Sequence, residues 1–229
     1  MRKKVNLKGD LFQMETHIAP LTILCLALAV VPASAQILYN NGPAGPDIDA
    51  WTINFGYIVS DTFTLASNST VGGFDFAAWE VPGDEILTVQ WSITSQENGG
   101  TMYGGGTANV AQKFISQNAY GYDEYEVSAT GLNVPLSGNT YWLNLQNATV
   151  PSGDPVYWDE NSGMGCNSPG CPSHASESAV GTIPSESFDI TGTGGTGTTP
   201  EPSSVVLLAS GLIGLGGVMR RKLLWSKVL

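Results

Sequence analysis

The segment SGDPVYWDENSG, residues 152–163, brings Tyr157 and Trp158 together with Asp154, Asp159, Glu160 and Asn161. Its glycines, proline and serines favour a turn-rich loop. Flat apolar rings beside carboxylates and amides suit sugar recognition, because rings cover C–H faces and oxygens accept from hydroxyls. Trp142 joins the set, since alternation in YWLNLQNATV points it opposite to Tyr141, Leu143 and Leu145. Trp158, Trp142 and Tyr157 are therefore candidate glycan-binding residues. Strand alternation puts Tyr157 and Trp158 on opposite faces, and the polar residues after Trp158 make it the one expected to be exposed. The weighed alternative is that most of these tryptophans fill a core.

Asp154, Asp159 and Glu160 are hard oxygen donors and candidate calcium ligands. Asp47 and Asp49 in GPDIDAW offer the same chemistry. Neither stretch has EF-hand spacing, and solvated surface carboxylates are the alternative. Catalysis has little to stand on. His17 lies in the leader, which leaves His174 as the one imidazole for any triad, and no G-x-S-x-G elbow occurs. YGGGTAN lacks the lysine and helix of a phosphate loop. Asp159 and Glu160 are a poor glycosidase pair, because adjacent strand residues point apart. The chain is read as non-catalytic, with a secreted glycan-active hydrolase using carboxylates as the alternative.

Between Gln36 and Pro200 there is one lysine, Lys113, and no arginine, against nine Asp and eight Glu, a net charge of −16. Such a surface repels phosphate backbones and excludes nucleic acid as a partner. It also lacks the arginine fork that grips phosphate or carboxylate. Neutral polyols, cations and basic surfaces remain. Cys166 and Cys171 are an even pair in an exported chain, which favours a disulfide over a zinc site.

These residues must be carried by strands. In ILTVQWSIT, Leu87, Val89, Trp91 and Ile93 alternate with polar residues; Tyr125, Val127 and Ala129 do the same further on. Asn98-Gly99-Gly100 reads as a hairpin turn into TMYGGGTANV. Further strands are expected over 51–57, 61–65, 71–79, 113–117, 155–158 and 187–190. No window keeps a helical period. About nine short strands separated by Gly, Asn and Ser turns predict an all-β exported domain over 36–190, a two-sheet antiparallel sandwich that is jelly-roll-like.

Both ends read as addresses. Arg2, Lys3, Lys4 and Lys8, the apolar run 19–31 and Ala33-Ser34-Ala35 form a secretory signal peptide over 1–35, which implies the Sec export machinery; Met14 is an alternative start. Residues 191–199 form a Gly/Thr linker. Ser203 to Met219 is an uncharged apolar run at the short end of what spans a bilayer, expected to be a transmembrane helix. Arg220, Arg221 and Lys222 follow at once and should stay cytoplasmic with the tail 223–229. Pro200-Glu201-Pro202 precedes the run; its prolines fix φ and withhold backbone donors, so the tripeptide stays out of the helix and accessible.

The order Pro-Glu-Pro, short Gly-rich apolar helix, basic cluster resembles the PEP-CTERM sorting signal, over 200–222. Two departures are Thr199, where Val is common, and the extension 223–229. The resemblance implies an exported bacterial protein, anchored in the inner membrane as a precursor and then processed by an exosortase. It further implies delivery to the cell envelope or extracellular matrix, where exopolysaccharide is the expected partner. The run WTINFGYIVSDTFTLASNSTVGGFDFAAW is similar to an exported domain that recurs among such proteins, with no activity implied.

Overall fold

The computed structural model describes residues 35–45 and 49–194. The signal peptide, the transmembrane helix expected over 203–219, the sorting signal 200–222, the tail 223–229 and Asp47 lie outside the described residues. Among the described residues no helix is long and apolar enough to cross a membrane.

Twelve antiparallel strands make up this region: β1 (Gln36–Asn40), β2 (Ala50–Thr52), β3 (Ile58–Thr64), β4 (Ser69–Glu80), β5 (Thr88–Gln96), β6 (Gly99–Gln117), β7 (Asp123–Leu136), β8 (Thr140–Thr149), β9 (Val156–Asp159), β10 (Ala175–Glu177), β11 (Gly181–Ile183) and β12 (Phe188–Gly194). They form one curled sheet in the order β1-β12-β4-β7-β6-β5-β8-β3-β10-β11, while β9 pairs with the end of β4 and β2 pairs with β9. The expected all-β, antiparallel architecture is present.

The curl depends on β6. Its first part, through Asn109, pairs with β5; from Val110 onward it pairs with β7. Two strands expected separately, TMYGGGTANV and 113–117, are thus one long strand that passes from one half of the sheet to the other. The halves meet across a shared core: Phe74 of β4 lies 6.1 Å from Trp91 of β5, and Tyr39 of β1 lies 6.3 Å from Phe63 of β3. Gly104 makes one close approach possible. A Cβ there would sit 2.6 Å from the Val134 Cγ2 of β7, so any side chain would require Val134 or the strand to shift.

Expected alternation holds where strands are long enough to show it. Val89, Trp91 and Ile93 are buried, as are Tyr141, Leu143 and Leu145; Leu87 lies before β5 and is exposed. The Asn98-Gly99-Gly100 hairpin joins β5 to β6, with Asn98 and Gly100 in the left-handed region at φ 42° and 71°. The Gly/Thr run begins inside the sheet, because β12 continues through Gly194 and pairs with β4 as far as Ser69. Cys166 and Cys171 are disulfide-bonded.

Candidate functional site

Trp158 corrects the sequence reading. It is 0% exposed, packed between Phe76 (6.0 Å) and Phe188 (5.5 Å), with its Nε1 donating to the Ser187 carbonyl at 2.9 Å. It offers no face to a ligand. The alternation was right, but the polar residues that follow Trp158 do not lie in solvent: Asp159, Glu160 and Asn161 are buried too. Tyr157, on the opposite face of β9, is the half-buried member of the pair, and Trp142 is half-buried on β8.

Tyr157 stands in a cluster that sequence reasoning missed. The β4–β9 register sets Trp79 directly opposite Tyr157. The β6–β7 turn adds Tyr120 and Tyr122. Buried Asn118 builds that turn: its Oδ1 accepts from the backbone N–H of both Tyr120 and Tyr122 at 3.0 Å, and its carbonyl accepts from Gly121 N–H. Gly121 supplies the left-handed φ of 85° that the turn needs. The rings pack against one another in three ways: Trp79 meets Tyr120 tilted at 5.7 Å, stacks on Tyr122 at 6.2 Å, and Tyr122 meets Tyr157 edge to face at 5.4 Å. With Asp49 and Ala50 they line an open cleft of about 360 Å³. Trp79 is buried beneath the tyrosines, whereas Tyr120 is 62% exposed. Burial, and then the neighbouring Tyr122 hydroxyl, push the Tyr157 phenol up to about 12, so it stays a neutral donor at ordinary pH. A larger concavity of about 490 Å³, beside Asn68, Thr70, Pro135 and Ser137, has no aromatic wall.

The proposed calcium ligands are not gathered as expected. Asp154 precedes β9 and Asp159 ends it, so about 16 Å of extended chain separates them. The Asp159 Oδ2 accepts from Gly45 N–H at 2.6 Å. Glu160 accepts from Ser162 Oγ at 2.9 Å and from Trp51 Nε1 at 3.3 Å. Glu186, not singled out in the sequence, belongs with Asp159 and Glu160. Burial, then the negative charges of Asp61, Glu160, Asp159 and Asp49, hold its carboxyl well above the usual range. Burial also lifts Asp61 to about 7, against the hydrogen bonds it accepts from Glu186 N–H at 2.8 Å and Thr62 N–H at 2.6 Å. His174 is exposed and engages Thr62 through its backbone N–H.

An exported all-β domain with an aromatic cleft is thus joined to a C-terminal address. Residues 198–222 match the PEP-CTERM protein-sorting motif, which marks an exported, membrane-anchored precursor destined for exosortase. The match covers Pro200, Glu201, Pro202, Arg220, Arg221 and Lys222. No curated protein matches the chain.

Proposed function

We propose that this chain is a non-catalytic, exosortase-delivered protein that holds polysaccharide in the cell envelope or extracellular matrix. The observation that carries the reading is the single open cleft shared by Trp79, Tyr120, Tyr122 and Tyr157. The tyrosine rings, supported from beneath by Trp79, offer apolar surface to sugar C–H groups, and the tyrosine hydroxyls and Asp49 are within the same cleft to bond sugar hydroxyls. The net charge of −16 between Gln36 and Pro200 favours a neutral or cationic glycan over a uronic acid polymer. In the finer reading of the fold, the halves of the curled sheet are the two layers of a jelly-roll-like sandwich, with the cleft near one end, where such folds place function. The apolar segment 203–219 then anchors the precursor after Sec export, and exosortase releases it.

Retention of the full-length chain on bacterial exopolysaccharide tests this, with Tyr120→Ala as the comparison. Removing the outermost ring should weaken retention about tenfold, the equivalent of one aromatic contact. Reducing ends should not accumulate. Equal retention of the variant, or no retention of either protein, rejects the cleft; released reducing ends select the hydrolase instead.

A further inference from the structure

Three acidic residues face one another across adjacent backbone segments. The β2–β9 register pairs Ala50 with Asp159, which sets Asp49 opposite Glu160; the Glu160 N–H donates to the Asp49 carbonyl at 3.0 Å. Glu160 in turn faces Glu186 in an antiparallel bridge. Facing residues of this kind carry their Cβ atoms about 5 Å apart. The row runs inward from exposed Asp49 to Glu160 and Glu186, both buried.

Like charges at facing positions repel, and buried charges without a counter-ion cost more still. Among the described residues no lysine or arginine relieves them. Lys113 is the only lysine or arginine between Gln36 and Pro200, and it pairs with Glu126 on the surface at 3.4 Å. Asp61 and Glu160 each accept hydrogen bonds from neighbouring groups. Glu186 does not. It has no exposed surface, and neither of its carboxylate oxygens has a hydrogen-bond partner. Buried polar groups are almost always satisfied, and here the unpartnered carboxyl is bridged to a second buried acid, an arrangement with room for a shared cation.

We infer that Glu160 and Glu186 bind a divalent cation of the calcium type, with Asp49 at the mouth of the site. Only oxygen donors line the row, which suits a hard cation and disfavours zinc or copper. Among the described residues no three His, Cys, Asp or Glu side chains form a ready-made metal site. Two carboxylates, with backbone carbonyls and water completing the shell, are within calcium's flexible six-to-eight-oxygen habit and outside magnesium's stricter octahedron. Each Glu160 oxygen keeps a second lone pair beyond its present bond. Because Asp49 also lines the aromatic cleft, an ion here would fix that wall of the cleft.

Calorimetric titration of the chelator-treated full-length chain with calcium chloride tests the site. Saturable binding is expected with a dissociation constant of about 10 μM to 1 mM, together with a rise in melting temperature of roughly 5 °C. Glu186→Gln should lower the affinity at least tenfold and remove the rise. The substitution breaks no hydrogen bond, so the variant should melt no lower than the ion-free parent. Glu160→Gln is the second variant and should weaken binding likewise. Glu85→Gln, which removes an exposed charge elsewhere, should bind as the parent does. The site is overturned by absent calcium binding in the parent, by undiminished binding in Glu186→Gln, or by an equal loss in Glu85→Gln, which would mean diffuse charge screening.

Discussion

Glu80, at the end of β4, should make the domain lose stability as pH rises. The residue has no exposed surface, and neither carboxylate oxygen has a hydrogen-bond partner. The nearby Gln112 amide oxygen already accepts from Ile86 N–H at 2.9 Å, and its NH2 group is unpaired as well. Burial lifts the Glu80 pKa from 4.5 to about 7; the N–H groups of Gln112 and Ile86, which approach without closing hydrogen bonds, offset part of this, and the charges of Asp84 and Glu85 add to it. The folded state therefore keeps a proton that the unfolded chain has released. Stability from this group is complete below about pH 4.5 and is lost as pH rises through about 7. The shift corresponds to about 3 kcal/mol, and the higher effective dielectric of a relaxing interior reduces that to about 2 kcal/mol. Glu80→Gln mimics the protonated form. At pH 8 it should be more stable than the parent by about 2 kcal/mol, while at pH 4 the two should be equal. Urea denaturation at five pH values, read as the difference between the two curves, isolates this residue from other buried carboxyls. Parallel curves for parent and variant would refute the reasoning.

Trp158→Ala should cost about 3–5 kcal/mol, because it empties the space between Phe76 and Phe188; chemical denaturation measures it, and a loss below 1 kcal/mol would contradict its place in the core. Thiol labelling of the folded, oxidised chain should leave Cys166 and Cys171 unmodified, and replacing both by serine should cost about 2 kcal/mol, since the closed loop is short. Mass spectrometry of the mature exported protein should find a C-terminus near Pro200-Glu201-Pro202, and a retained Arg220 would rule processing out.

The sequence by itself determined the address and the class of fold. Pro200-Glu201-Pro202, the apolar run and the basic cluster form a linear motif, legible because the order of residues alone defines it. The long strands were legible too, since burying one face of β5 or β8 writes a period of two into the residues themselves. β10 and β11 have three residues each, too few for any period; β10 is a strand because β3 offers it an edge. Only the tertiary structure decided which rings are available. Trp158 and Tyr157 are neighbours in sequence with opposite fates, set by which side of β9 meets Phe76 and Phe188. Trp79, Tyr120, Tyr122 and Tyr157 come from β4, a turn and β9, and no local pattern joins them. The same holds for Glu186, an isolated acid in IPSESF that the chain's return path places opposite Glu160. Side-chain period is a local property of the backbone, whereas a cleft or an acidic row exists only where distant strands acquire a common register.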